Sequence, residues 1–268
     1  MGARAGEDAL SQRIRREALQ VESDEPALSG LLRATVLAPS VHSFEQAVAA
    51  ATAQRLATAE MPAQTIRQVI ELEILGPDRA KVTEHGHTAD HAIRADLRAV
   101  LQRDPACKSA LEVVLFFKGF AALVAHRAAF RLWHSGSARY MALWLQSRAS
   151  AACGVDIHPN ATIGAGVLLD HASSIVIGET ATVGNDCTLL HGVTLGNTTG
   201  ETTEHDRHPK VGDGVLIGAG ASVLGNVTIG NGARIGAGSV VLQNVAENTT
   251  AVGVPARLVS RRQAGAML

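Results

Sequence analysis

The chain has 268 residues, 46% hydrophobic but only 3% aromatic, with 26 glycines and a formal net charge of -1. That length allows one or two ordinary domains, and the apolar fraction excludes wholesale disorder. The near-zero charge excludes a nucleic-acid or membrane-surface role carried by general basicity. All eight aromatics precede Leu145 while 19 of the 26 glycines follow Ser150, so two halves built to different rules are expected.

Cys107, Cys153 and Cys187 are an odd number without CxxC spacing, which suits a reducing compartment. The N-terminus, with Arg4, Glu7, Asp8 and Arg13, lacks the apolar stretch of a signal peptide. The most apolar run, 113–125, is interrupted by Lys118 and is too short to span a bilayer. The expectation is a soluble cytoplasmic protein with no nucleic-acid or membrane partner.

The first half reads as helices. Ser43 opens a capping-box pattern with Gln46, followed by an Ala-rich run to Ala59. Pro62 sits where a first helical turn tolerates it, ahead of Ile66, Val69, Ile70 and Ile74. Thr88 is placed to cap a helix carrying Ile93, Leu97, Val100 and Leu101, ended by Asp104-Pro105. Ser109 with Glu112 opens a longer apolar helix toward Trp133, Gly136 breaks it, and a last helix with Tyr140, Trp144 and Leu145 leads to Gly154.

The second half repeats every six residues. Ile157, Ile163, Leu169, Ile177, Val183, Leu189, Val211, Ile217, Val223, Ile229, Ile235 and Val241 are mostly six apart. Four places after each stands a small residue: Ala161, Val167, Ser173, Ala181, Cys187, Val193, Val215, Ala221, Val227, Ala233, Ser239 and Val245. One large and one small inward residue per six is the signature of a parallel β-helix with three short strands per coil. A purely structural β-helix would carry the same repeat.

The repeat breaks twice: eight residues separate Leu169 from Ile177, and a polar segment, 196–210, interrupts the coil after Leu195. Loops ejected from a rigid scaffold often hold functional residues. With three repeats per coil, Leu169, Leu189, Ile217 and Ile235 should stack, which places His171, His191, Ala219 and Ala237 in one column. Two histidines beside small residues form a groove that a thin, extended cofactor arm could enter.

Further motifs carry a resemblance. Asp156-Ile157-His158-Pro159, Leu169-Asp170-His171-Ala172, Gly178-Glu179-Thr180, Asp206-Arg207-His208-Pro209-Lys210 and Gly253-Val254-Pro255-Ala256-Arg257 resemble the serine acetyltransferases of the hexapeptide acyltransferase superfamily. Arg103-Asp104-Pro105-Ala106, Phe117-Lys118-Gly119-Phe120 and Asp24-Glu25-Pro26 are similar to that family's N-terminal domain, so the resemblance spans about 10–260. The fold it implies is α+β: an α-helical domain, 1–150, for oligomerisation and part of the substrate site, then a left-handed parallel β-helix of hexapeptide repeats, 151–260. A loop, 196–210, protrudes and a short tail, 261–268, follows.

The activity implied is acetyl transfer from acetyl-CoA to the hydroxyl of L-serine, giving O-acetylserine for cysteine synthesis, with no metal. By resemblance His171 is the general base, a role that suits an imidazole titrating near ~6.5, and Asp156 is its carboxylate partner, fifteen residues earlier and slightly less than one coil away. Asp104 and Asp170 match the ligands of the serine ammonium, and Arg207 beside His208 matches the carboxylate clamp. On its own, Asp104 before Pro105 reads first as a helix terminator.

His191 reads either as an ordinary exposed strand histidine or, from its place above His171, as a residue near the thioester carbonyl or the departing thiol. Acetyl-CoA is expected along the groove between neighbouring β-helices, near Ala219, Ala237 and Thr198, with Arg234 and Arg257 as candidates for its phosphates. The family usually carries Leu-Gly-Gly-Thr-Gly-Lys at the loop, whereas this chain reads Leu195-Gly196-Asn197-Thr198-Thr199-Gly200-Glu201. The tail ends at Leu268 instead of the terminal isoleucine that docks typical members into O-acetylserine sulfhydrylase, so that complex is not assumed. A homo-oligomer, a trimer or a dimer of trimers, is implied.

Two other functions fit parts of the sequence. One is acetyl transfer to homoserine or a sugar. The other is a zinc site like that of γ-class carbonic anhydrases, drawing on His158, His171, His191, His205 and His208. His85, His87 and His91 with Asp90 form a further cluster, best read as a solvated helix start.

Overall fold

The computed structural model describes residues 2–77, 85–136, 138–198 and 206–259, with side chains from residue 9 onward. Among these, eight α-helices come first: α1 (Gly2–Asp24), α2 (Ser29–Ala34), α3 (Phe44–Leu56), α4 (Ala63–Leu75), α5 (Ala89–Arg103), α6 (Ala110–Phe116), α7 (Lys118–Ser135) and α8 (Arg139–Cys153). The caps follow the sequence pattern. Ser43 accepts from the Gln46 N–H and Ser109 from the Glu112 N–H, each at 3.2 Å. Thr88 stands at the N-cap of α5 without a side-chain bond, and Pro62 is the N-cap of α4, one place ahead of its first turn. Sequence patterning marked nothing before Ser43, although Leu10, Ile14, Ala18 and Val21 stand at helical spacing on the side of α1 turned to the core.

The helix expected from Ser109 toward Trp133 is two helices, α6 and α7, bent by 70° at Phe117. Gly119, at the start of α7, is the point of closest approach. A methyl group there would collide with the Leu169 carbonyl oxygen and press on the Ala172 Cβ at 3.0 Å, so only a glycine lets α7 lie this close to the β-helix. Beyond that point α7 is buried along nearly its whole length.

Gly154, with φ 71°, ends α8 in the left-handed conformation that favours glycine, and strands begin at once. They are β1 (Val155–Ile157), β2 (Thr162–Ile163), β3 (Leu168–Asp170), β4 (Ile175–Ile177), β5 (Thr182–Val183), β6 (Thr188–Leu190), β7 (Thr194–Gly196), β8 (Lys210–Val211), β9 (Leu216–Ile217), β10 (Ser222–Leu224), β11 (Thr228–Ile229), β12 (Arg234–Ile235), β13 (Val240–Val241), β14 (Thr250–Gly253) and β15 (Ala256–Val259). Up to β13 every third strand stacks in parallel. The first face is β1-β4-β7-β10-β13, the second β2-β5-β8-β11, and the third β3-β6-β9-β12-β14, with β15 folded back antiparallel on β14. The result is a triangular β-helix whose interior takes one aliphatic and one small residue per repeat, and no aromatic residue.

One repeat departs from the count. Ser173, placed inward by the sequence pattern, is exposed, and Ile175 is fully buried in its stead. The eight-residue spacing is the cause. In later coils the Gly220 N–H donates to His191 O and the Gly238 N–H to Ala219 O, whereas the equivalent Gly192 N–H donates to Ser173 O. Ser173 therefore takes the place that His191 holds one coil on, and His171-Ala172 is a two-residue bulge extruded from the corner.

The helical half covers the open first coil. Arg127 and Asp96, both fully buried, pair at 2.7 Å; Arg127 donates to Ile163 O and Gly164 O, and Asp96 accepts from the Val167 N–H at 2.9 Å. These are strand-edge groups with no preceding coil to bond, and leaving them unpaired in a buried place would cost roughly 1–3 kcal/mol each.

Candidate active site

The β-helix has three corners, and the chemistry-bearing residues occupy two of them. The corner joining the third face to the first carries the histidine column. Leu169, Leu189, Ile217 and Ile235 stack in register, so His191, Ala219 and Ala237 follow one another along that corner, with Ser173 at the matching place in the first coil and His171 carried beside it on the extruded bulge. The His171 and His191 rings meet edge to face with centroids 6.0 Å apart. His171 is 79% exposed, and its Nε2 stands 4.0 Å from Asp170 Oδ1 at the end of β3.

This corner is built against the backbone's preference. His171, Ala172 and Ser174 have φ of 53°, 56° and 61°. Left-handed residues other than glycine cost roughly 1–2 kcal/mol each, and such outliers collect at functional sites. The helical half braces them: the buried Ala172 methyl lies where Gly119 leaves room, and Lys118 Nζ donates to Ser173 Oγ. Gly119 and Lys118 are site-shaping residues that sequence reasoning quoted only as a motif. Gly119 meets Leu169 fifty residues later, a contact no local pattern announces.

Asp156 lies on β1 opposite Val176 of β4, and Asp156 Oδ1 accepts from Gln146 Nε2 of α8 at 2.6 Å. The contact with His171 implied by the resemblance is not made; α8 overlies the carboxylate and supplies its partner. The strand start is nonetheless tied to the histidine corner, because the Ser174 N–H donates to Gly154 O at 2.7 Å. Asp104 closes α5. It accepts at Oδ1 from the Ala106 N–H at 2.8 Å, so the helix-terminator reading is realised in atoms, and α5 packs on β3, the strand that ends at Asp170.

The corner joining the first face to the second carries Arg207 and His208. His208 is buried on Gly178, where any Cβ would strike its ring. His208 Nδ1 accepts from the Thr180 N–H at 3.2 Å and lies 2.9 Å from Thr180 Oγ1, which leaves the neutral ring's proton on Nε2. Burial holds this imidazole below the ordinary histidine value, with Arg207 and Lys210 pushing the same way. Arg207 Nη2 donates to Glu179 Oε2 at 2.6 Å, and this bond keeps the Glu179 carboxyl below its usual range. His158, stacked edge-on against Trp133 at 5.0 Å, is likewise lowered by burial. Glu179, Thr180 and Gly178, quoted in the sequence without roles, are what organise this corner.

The remaining candidates scatter. Thr198 lies near Gly225 after β7, Arg234 is exposed on the third face three residues before Ala237, and Arg257 sits on β15 with its guanidinium on Ala256 O. His205, Glu201 and the tail with Leu268 fall outside the described residues. Among the described residues no three His, Cys, Asp or Glu side chains converge as a metal site, and His87 and His91 stack at 4.9 Å. Burial drives the Cys187 thiol up to about 11, leaving it a small interior residue with no thiolate at neutral pH.

Comparison with known proteins matches this architecture. Residues 10–125 match the family described as "Serine acetyltransferase, N-terminal", and residues 208–243 match "Bacterial transferase hexapeptide (six repeats)". A probable serine acetyltransferase 4 of Oryza sativa subsp. japonica is 54% identical over 252 residues, 94% of this chain and 76% of that one. Serine acetyltransferase 3, mitochondrial, of Arabidopsis thaliana is 47% identical over 94% of this chain and 61% of its own length. The soybean serine acetyltransferase structure complexed with serine superposes with a TM-score of 0.85 at 44% identity, covering 94% of this chain and 98% of that one. The serine acetyltransferase of Brucella abortus strain S19 in complex with coenzyme A gives 0.85 at 41% identity, covering 94% and 96%. The β-helix is thus of the left-handed hexapeptide type.

Proposed function

This chain belongs to the serine acetyltransferase family, and we propose that it transfers acetyl from acetyl-CoA to the hydroxyl of L-serine, with His171 as the base. The observation that carries the reading is the exposed His171–His191 pair on a braced corner, above a column of alanines. Neutral His171 takes the hydroxyl proton as the serine oxygen attacks the thioester carbonyl. When the tetrahedral intermediate collapses, the C–S bond breaks and the proton passes to the departing thiolate. Positioned base catalysis of this kind is worth about 10²–10⁴ in rate.

Asp156 serves as the carboxylate partner of His171, a role supported by the bond between Ser174 and Gly154 that ties β1 to the corner; catalytic bonds of this kind commonly tighten only when substrate is bound. Asp104 and Asp170 receive the serine ammonium and Arg207 its carboxylate, with His208 and Glu179 holding the clamp in place. His191 lies beside the thioester, and the pantetheine arm runs past Ala219 and Ala237, with Thr198, Arg234 and Arg257 toward the nucleotide. No metal enters these steps.

Within one chain the two corners stand on opposite edges of the first face, three strand residues or about 10 Å apart before the corners are added. A second copy brings the Arg207 corner of one subunit to the His171 corner of the next. The first face between them exposes Val176 at 41%, an apolar residue suited to such packing. The assembly is a homo-oligomer, a trimer or a dimer of trimers. Among the described residues no single helix is long and apolar enough to cross a membrane, and the reading places the enzyme in the cytoplasm, in cysteine synthesis.

The test is release of free thiol from acetyl-CoA by the purified chain with serine, homoserine or a sugar as acceptor. Serine should be preferred by at least about tenfold in kcat/KM, the discrimination expected when a site is built to bind a charged group. Equal or greater rates with a sugar would sink the assignment.

A further inference from the structure

Helix α5 is fastened to the β-helix at two points on one face, seven residues and two helical turns apart. The upstream fastening is the buried Asp96–Arg127 pair on the first coil. The downstream one is Arg103. Its Nη1 donates to Gly166 O at 3.0 Å and to Cys187 O at 3.2 Å, and its Nη2 pairs with Asp186 Oδ1 at 2.9 Å.

The acceptors are specific in their placement. Gly166 and Cys187 lie just ahead of β3 and β6, the two strands that end at Asp170-His171 and at His191. One guanidinium therefore spans two successive coils and sets the end of α5 against both histidine-bearing strands. Asp104 is the next residue. It is held by its own backbone, with its N–H on Val100 O at 2.9 Å and its Oδ1 on the Ala106 N–H, while Oδ2 has no partner among the described residues. Whatever fixes Arg103 fixes where that carboxylate points.

We propose that Arg103 is a positioning residue for substrate binding: by clamping the starts of β3 and β6 it sets the Asp104 carboxylate against Asp170, so that both meet the ammonium group of serine together. The inference rests on the serine acetyltransferase reading. Arginine is required because its planar fork reaches a carboxylate and two carbonyls at once, which a lysine ammonium on a flexible stem does not reproduce.

The experiment measures initial rates with the purified full chain while serine and acetyl-CoA are varied separately. Arg103→Met should raise the serine KM about tenfold or more, with kcat within about threefold and the acetyl-CoA KM within about twofold, the pattern of lost ground-state binding at one substrate. Arg103→Lys should fall between the two, and serves alone if the methionine variant does not fold. Because Arg103 acts through Asp104, adding either variant to Asp104→Asn should change serine kcat/KM by less than about twofold. Parallel changes in kcat and both KM values would overturn the proposal, as would a penalty undiminished in the Asp104→Asn background. A wild-type chain that does not acetylate serine would instead overturn the functional reading.

Discussion

The two functional corners of the β-helix are built on opposite principles. At the His171 corner the histidine is exposed, its backbone is held in an unfavourable left-handed conformation, and the nearest carboxylate stands at 4.0 Å. At the Arg207 corner the histidine is buried and hydrogen-bonded, and the guanidinium already has its carboxylate partner. A base that must take up a proton and release it in each turnover needs water access and a loose ring. A binding clamp is effective when its geometry is fixed beforehand. On the proposed mechanism, the difference divides chemistry from recognition.

The largest effect should come from the exposed corner. His171→Ala is expected to lower kcat by about 10²–10⁴ with a much smaller change in serine KM, measured by thiol release. Arg207→Met should show the reverse, a serine KM raised by about 10- to 100-fold, as loss of a charge-assisted hydrogen bond implies. If the corners meet between subunits, co-refolding the two variants restores the wild-type rate at low serine, where each parent is impaired, at about one interface in four, by random placement around a closed ring. Mixtures no faster at low serine than the average of the two parents would show that one chain holds a complete site.

How much of this was legible in the sequence follows from the range of each contact. The column of His191, Ala219 and Ala237 was readable because a six-residue period with three repeats per coil fixes register by arithmetic, whereas the same arithmetic put His171 where the structure has Ser173. The extruded pair was half legible: an eight-residue spacing announced an insertion, but only the bond from Gly192 to Ser173 shows which two residues leave the coil. The bend at Phe117 was hidden inside a mostly apolar run, and the close approach of Gly119 to the Leu169 backbone beside it spans fifty residues. Asp156 was expected at His171 by resemblance, with a spacing that merely allows the contact; the side chain of Gln146, carried by a different element, holds its carboxylate instead.

Each corner depends on a glycine that admits a close neighbour, and this sharpens the contrast. Gly119→Ala pushes against the Leu169 carbonyl behind His171, while Gly178→Ala strikes the His208 ring. Overpacking of this kind costs about 1–3 kcal/mol in either case. Thermal melts should therefore lose similar stability, but Gly119→Ala should lower kcat and Gly178→Ala should raise serine KM. The same kinetic change from both would erase the proposed division.

The corners should also separate by pH. His208 and His158 titrate below the ordinary histidine value in the folded chain, so between that lowered value and about 6.5 the unfolded chain binds more protons. Stability from keeping these rings neutral is therefore complete above about pH 6.5 and declines as the pH falls below it. Melting temperatures measured from pH 7.5 down to 5 should fall in wild type and fall less steeply in His208→Gln. Parallel slopes would mean that burial at Gly178 does not hold that ring neutral.

The smallest expected effects test the brace itself. Ser174 and Ala172 share a left-handed backbone, but Ser174 is exposed whereas the Ala172 methyl is buried against Gly119. Glycine at 174 relieves about 1–2 kcal/mol of backbone strain and adds about 0.5–1 kcal/mol of chain entropy to the unfolded state. Ser174→Gly should therefore be slightly stabilising, by about 0.5–1 kcal/mol, with kcat unchanged. Later coils place Gly192, Gly220 and Gly238 at that position, so the substitution only restores the regular corner. Ala172→Gly gains the same relief but also loses about 0.8 kcal/mol for one buried methyl, which brings its net stability near zero. Its kcat should nonetheless fall severalfold, because that methyl is the contact by which the helical half holds the peptide carrying His171. If Ala172→Gly behaves like Ser174→Gly in both melts and kinetics, the left-handed bulge supports itself and the contact from Gly119 contributes nothing to the placement of the base.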